Sequence, residues 1–568
     1  MAKYEVVDGV GIIPEWTSEI EAEAFKGCKE LKSIAIPQRV RKIGSGVFWG
    51  CEYLERVELS EGLEEIGQNA FHGCSCLENI IIPLGVKRIE KEAFKGCSKF
   101  TEIEIPSSVL EIGNCIFCCC DKLEKIIVSK DNEIFDSRED CNAIIHTSSN
   151  TLVRGCNKSF VPKNIQNLSY AAFCGCKSLS TINLPESITS IKERAFTDCH
   201  SLTDVSIPPS VTEIGKFAFE NCYSLTNITL QDSTSLISRL VNYLYKEQHK
   251  HTHKQTRKII MRMLILLEKI LALISYSTSS RITIPPSVMQ IGEKAFYQCT
   301  SLTSISIPES VTKIEEYSFS GCSNLMSISI PESVIEIGDL AFNDCPSLID
   351  ISIPKSVKKI GCGAFLDCCS LTSIIIPESI IEIGIVAFSG CSSLTSIKVD
   401  TGNSVYDSRD NCNAIINTES NTLIVGCLNT IIPESVTRID GAFSGCSSLK
   451  NINIPESVKE LGDETFAFCT SLMSIRIPES VTKIGKWVFK GCSSLTSISI
   501  PDSVTEIGSE AFSGCSSLTS IIIPPLVRQI KEYTFSGCSS LCTIIVPRDT
   551  EIENNAFINC PYVQIIRY

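Results

Sequence analysis

Apolar and polar residues alternate along this chain in one recurring phrase, of which LTSISIPDSVTEIGSEAFSGC, residues 495–515, is a clear copy. Leu495, Ile498 and Ile500 are spaced to point inward from a short strand, while Ser497 and Ser499 point away. Pro501 has no N–H to donate and ends the pairing at a corner. Val504 and Ile507 turn inward on the return path. Gly508 then allows a tight bend, and SEAF predicts a short helical turn that carries Ala511 and Phe512 into the core. Cys515 closes the unit as a small buried apolar residue.

The phrase returns from Phe25 to Phe557 in 19 units, mostly 23 residues apart, each with a Cys three residues after its Phe. One such unit is too small to bury a core of its own, so the units must stack and share one. That predicts a solenoid rather than a chain of globular domains. The 19 laddered cysteines, out of 31 in all, read as buried free thiols. Stacked coils hold their Cβ vectors parallel, which disfavours bridging, and no Cys or His set converges on a metal.

The repeated IPxSVxxIGxxAFxGCxSLTSI phrase resembles the BspA-like leucine-rich repeats. That resemblance implies a right-handed superhelix, β-rich with short helical turns. It also implies the work of that family, whose members are associated with bacterial and protist surfaces and with adhesion to host proteins such as fibronectin and fibrinogen.

The rhythm breaks at three places. Pro106 to Pro162 and Pro377 to Pro433 each span 56 residues, one repeat plus 33 more. The additions match one another: IFDSREDCNAIIHTSSNTLVRGC at 134–156 and VYDSRDNCNAIINTESNTLIVGC at 405–427. Each follows five coils, as duplication of an ancestral half would leave them. Both read as β-hairpins around Ser/Asn-rich turns. Cys141 with Cys156, and Cys412 with Cys427, lie symmetrically about those turns and face each other only in one register. Asp136, Ser137 and Arg138, with Asp407, Ser408 and Arg409, read first as a turn closed by the Asp side chain, with a ligand patch as the alternative.

The third break runs from Pro208 to Pro285, 77 residues. Within it 237–245 and 259–276 have helical apolar spacing, with basic residues between them. Arg262, Glu268 and Lys269 argue against a membrane span. A packed helical hairpin and a peripheral contact with an anionic membrane are the competing readings; His249, His251 and His253 alternate and do not share a helix face, so they do not make a metal site. The expected organisation is therefore coils at 1–128, a hairpin at 129–161, coils at 162–231, a helical basic insert at 232–281, coils at 282–399, a hairpin at 400–432 and coils at 433–568.

Charge and chemistry narrow the function. Net charge is −14 and no basic stripe runs through the repeats, which excludes a nucleic-acid surface. The chain has six His residues and shows no nucleophile–base–orienter trio, phosphate loop or HExxH. No catalytic residue, cofactor or metal is expected, and the partners are proteins. The candidate binding surface is the exposed strand face, two and four residues before each Pro: Glu58, Glu102, Glu104, Ser304, Ser327, Asp350, Ile375, Arg476, Ile522 and Ile545. MAKYEVVDGVGIIPEW lacks a basic stretch followed by an apolar run, so the sequence reads as cytoplasmic. The family resemblance implies the cell surface instead.

Overall fold

Two kinds of short parallel strand ladder recur among the described residues, both dictated by the repeat phrase. The computed structural model describes residues 4–230 and 281–568. They group into two compact units, Met1–Ser310 and Val311–Tyr568, and each is a β-solenoid. One ladder is the expected one, built from three- or four-residue strands such as Ser474–Arg476 and Ser497–Ser499, which pair in parallel. The other is built from two-residue strands on the return path, such as Lys483–Ile484 and Glu506–Ile507.

This second ladder alternates in charge. Glu19, Lys42, Glu65, Arg88 and Glu111 face one another in register in the first unit. Lys42 reaches Glu65 at 2.9 Å, and Arg88 reaches Glu111 at 2.8 Å. In the second unit Arg438, Glu460, Lys483 and Glu506 form the same kind of row. Opposite charges directly across strands are favourable and like charges are not, so the alternation penalises a slip by one coil.

Behind the ladders the Phe residues stack. Phe443, Phe466, Phe489, Phe512, Phe535 and Phe557 follow at 5.3–5.6 Å with nearly parallel rings. The Cys that follows each Phe does more than fill space. Cys515 Sγ donates to the Phe489 carbonyl at 3.1 Å, and Cys492 and Cys538 do the same one coil away. The Ser two residues after Pro501 acts likewise: Ser503 Oγ donates to the Val481 carbonyl at 2.7 Å, as Ser480 Oγ does to that of Val458 at 2.6 Å. Each is a small side chain that satisfies a backbone acceptor at the coil edge.

The SEAF segment is not a helical turn. In every coil the residues two before and two after Phe have positive φ, as with Glu510 at 54° and Gly514 at 75°. These conformations break an α-helical ladder and turn alternate N–H groups toward the next coil. Trp487, Phe489 and Gly491 donate to Ser509, Ala511 and Ser513 at 3.2, 2.7 and 2.7 Å. Among the described residues the only helical segments are the short 3-10 turns Arg138–Asp140 and Arg409–Asn411. Gly508 serves close packing rather than a bend: a Cβ there would stand 2.4 Å from the Gly485 carbonyl carbon.

At 129–161 and 400–432 antiparallel strands join the second ladder. Ala143–His146 pairs with Thr151–Gly155, and Thr151 and Leu152 then run parallel to Asn167 and Leu168. Ile415–Asn417, Thr422–Val425 and Arg438–Ile439 repeat the arrangement. At each entrance a buried or half-buried Asn closes the turn: Asn132 donates to the Pro106 and Val109 carbonyls, and Asn403 to those of Pro377 and Ile380, at 2.9–3.0 Å.

The helices expected within 232–281 lie outside the described residues, apart from Arg281, which opens the strand Arg281–Thr283. The coils on either side of that segment pair directly. Glu213 and Ile214 face Gln290 and Ile291, and Phe219 stacks on Phe296 at 5.6 Å.

Candidate functional site

The first ladder turns one side of each strand to the core and the other to solvent. In Ser474–Arg476, Ile475 is buried while Ser474 and Arg476 are exposed. Of the ten surface residues named from sequence, eight are exposed, and Ser304 and Ile545 are half-buried. Glu58 pairs with Arg56 at 2.9 Å, and Glu102 with Lys125 at 3.5 Å. Arg476 pairs with Glu456 at 2.8 Å. Ser327 and Asp350 meet across an isolated parallel bridge, and Ile375 lies in register with Lys398.

Two places gather apolar surface. In the second unit Ile522, Ile545 and Ile566 occupy the same position on three successive strands, in direct register. Ile522 is 59% exposed and Ile566 49%. In the first unit the ladder is interrupted: no strand forms at 79–82. There a cleft of about 470 Å³ opens between Ile81, Leu84, Glu102, Glu104 and Ile127. Ile81 is 84% exposed and Leu84 68%. Ile81 lies two residues before Pro83, so the spacing rule that led to Ile522 reaches it as well.

The hairpins offer no free ligand patch at the DSR triplets. Arg138 Nε donates to Asp136 Oδ1 at 2.8 Å, and its Nη1 to Asn150 at 2.9 Å. Arg409 makes the same pair of contacts with Asp407 and Asn421. The hairpin cysteines are free and buried. A register shift between Ile144 and Ile145 offsets the strands, and Cys156 Sγ donates to the Asn142 carbonyl at 3.3 Å. Cys427 Sγ does the same to the Asn413 carbonyl at 3.3 Å.

Among the described residues no group of three or more His, Cys, Asp or Glu is arranged to hold a metal ion. The described histidines pack on aromatic rings: His72 on Trp49, His146 on Phe135 and His200 on Tyr223. Among the described residues no helix is long and apolar enough to cross a membrane.

The BspA-type leucine-rich-repeat region model, in six copies, matches residues 18–142, 153–250, 275–395 and 436–564. The chain belongs to the BspA-type leucine-rich-repeat family. It is similar to a leucine-rich cell surface protein from Faecalibacterium prausnitzii, with 26% identity over 78% of this chain and 96% of that one and a TM-score of 0.49. It is also similar to a leucine-rich repeat protein from Bacteroides ovatus, with 26% identity over 85% of this chain and 88% of that one and a TM-score of 0.38. No curated protein matches the chain.

Proposed function

We propose that this chain is a non-catalytic, adhesin-like solenoid that binds proteins on its exposed strand faces. The row of Ile522, Ile545 and Ile566 carries the reading. It is an apolar strip on a backbone held rigid by its neighbours, flanked by short side chains such as Ser520 and Thr543 that lose little freedom when covered. Glu58, Glu102, Glu104, Ser304, Ser327, Asp350 and Arg476 extend the surface with polar contacts, and Ile375 adds an apolar one. Affinity would come from preorganised area rather than from one deep pocket. Host extracellular-matrix proteins are the partner class that membership of the family favours, and contact between the 232–281 segment and an anionic membrane belongs to the same surface reading.

The cysteines favour a second reading. All 31 are free, and the buried ladder thiols donate to carbonyls rather than facing one another, as suits an intracellular scaffold in a reducing compartment. Protease shaving of intact source cells separates the two. Release of peptides from this chain while a cytosolic marker stays whole supports the adhesin; digestion only after lysis rejects it.

A further inference from the structure

The first hairpin carries a charge into the core. Arg154, on the strand Thr151–Gly155, is 3% exposed. Its guanidinium donates to the Phe117 and Cys174 carbonyls at 2.8 Å and to the Ala171 carbonyl at 2.9 Å, and its Nε has no partner. No carboxylate pairs with it among the described residues; sulfur faces it instead, with Cys118 Sγ at 3.6 Å and Cys176 Sγ at 3.9 Å. A guanidinium keeps its proton in any protein setting, so burying one without an anion is strongly unfavourable.

Cys118 is fully buried and packs with Ala171 and Cys174, with Cys115, Cys119 and Tyr170 at the margin. The neighbouring Cys115 and Cys174 thiols, then the charges of Arg154 and Lys95, lower the Cys118 thiol against the upward push of burial. The Cys118 sulfur, then burial, pushes the Cys115 and Cys174 thiols up. Glu92 faces Cys115, and Asp198 faces Cys119.

The second hairpin is an internal comparison. There Ser389 and Ser444 stand where Cys118 and Cys174 stand, with their Oγ atoms 2.9 Å apart, and Val425 replaces Arg154. The fold therefore needs neither the thiols nor the buried cation at this place, and the two features occur together in the one hairpin.

We propose that Cys118 and Cys174, packed together beside the buried Arg154 guanidinium, form a dithiol site which a hydroperoxide oxidises to a disulfide. The Cys118 sulfur attacks the terminal peroxide oxygen. An S–O bond forms, the O–O bond breaks, and the departing alkoxide or hydroxide takes a proton from solvent. The Cys174 sulfur then attacks the Cys118 sulfenic acid: the S–S bond forms, the S–O bond breaks, and hydroxide leaves with the Cys174 proton as water. Two electrons pass from the dithiol to the peroxide, and two equivalents of a small thiol restore the reduced pair. At the equivalent places in the second hairpin the Ser389 and Ser444 Oγ atoms meet at 2.9 Å, so side chains at these two positions point at each other, unlike those of the Cys ladder. Cys174 is 9% exposed, and Cys115 and Cys119 are half-buried, so the site lies just beneath the surface.

The test is one equivalent of hydrogen peroxide on the reduced full-length protein, followed by alkylation and peptide mass spectrometry without reduction. A Cys118–Cys174 crosslink is expected to form at least about tenfold faster than modification of the exposed Cys362 or Cys542, because only the thiolate reacts. Cys174→Ser should leave a sulfenic acid on Cys118 that dimedone traps. Arg154→Val should slow the oxidation by about tenfold or more, as the thiolate loses its cation. Cys118→Ser should abolish oxidation of Cys174, and so should Cys118→Ser/Arg154→Val, which recreates Ser389 and Val425 of the second hairpin and leaves no buried cation without its partner. Oxidation of Cys362, Cys542 or the Cys538 and Cys560 pair ahead of Cys118 overturns the proposal, as does an unchanged rate at Cys174 in Cys118→Ser.

Discussion

Phe489 stands in the middle of a ring stack, 5.6 Å from Phe466 and 5.4 Å from Phe512, with none of its surface exposed. In Phe489→Ala the hole cannot close by collapse. The turns on both sides are pinned to their neighbours, Phe466 N–H to the Val488 carbonyl at 2.8 Å and Phe489 N–H to the Ala511 carbonyl at 2.7 Å. Removing a buried Phe ring destabilises by about 3–5 kcal/mol, and a site that cannot relax belongs in the upper half of that range. A unit the size of Val311–Tyr568 loses about 2–4 °C of Tm per kcal/mol, so a fall of about 8–20 °C is expected. Calorimetry measures the fall. Amide exchange locates it, since damage in a repeat array should be greatest in coils 466–512 and should spare the first unit. Phe468→Ala is the control, because Phe468 is 52% exposed and lies outside the stack. A Tm change below about 3 °C, or one equal to the control, would refute the claim that the Phe stack is the core.

Three further outcomes follow from the same geometry. Glu65→Lys puts three cations in a row with Lys42 and Arg88, so Tm should fall in low salt and recover partly in about 0.5 M NaCl; a salt-independent loss would point to packing instead. The Lys531 hydrogen bond, then its charge, holds the Glu506 carboxyl below its ordinary value of 4.5, so this contribution is complete above that pH and is lost as pH falls through the lowered value. Melting at pH 7, 5, 4 and 3 should therefore show a steeper acid loss in the native protein than in Lys531→Met, and parallel curves would contradict the assignment. Ser503→Ala strands the Val481 carbonyl and should destabilise by about 1 kcal/mol in a urea titration, whereas no change would mean that solvent replaces the hydroxyl.

The core was legible because it repeats. Inward positions at Leu495, Ile498, Val504, Ile507 and Phe512 follow from apolar spacing alone, and so do the outward positions at Ser497, Arg476 and Ile522. The turns were not legible in the same way. Glu510, Trp487 and Phe468 hold positive φ, although none is a residue type that announces it. At Trp487 and Phe468 the stacked neighbour favours that conformation by accepting the N–H group, an interaction that local propensity cannot reveal. The same is true of Cys515 and Ser503, whose acceptors lie one coil away. The charge ladder was present in the sequence as Glu19, Lys42, Glu65, Arg88 and Glu111, but it becomes visible only once the two-residue strands are known to pair. Arg154 was hidden by its place in a hairpin that otherwise matches its twin, where the difference from Val425 was the available signal.

The account rests most directly on the strand face as a protein-binding surface. Surface plasmon resonance of the purified chain over immobilised fibronectin and fibrinogen, beside the Ile522→Glu/Ile545→Glu variant, tests it. Saturable binding by the native chain to at least one of them, weakened about tenfold or more in the variant at unchanged Tm, is the predicted result. Equal binding by both forms, or binding by neither to either protein, would contradict it.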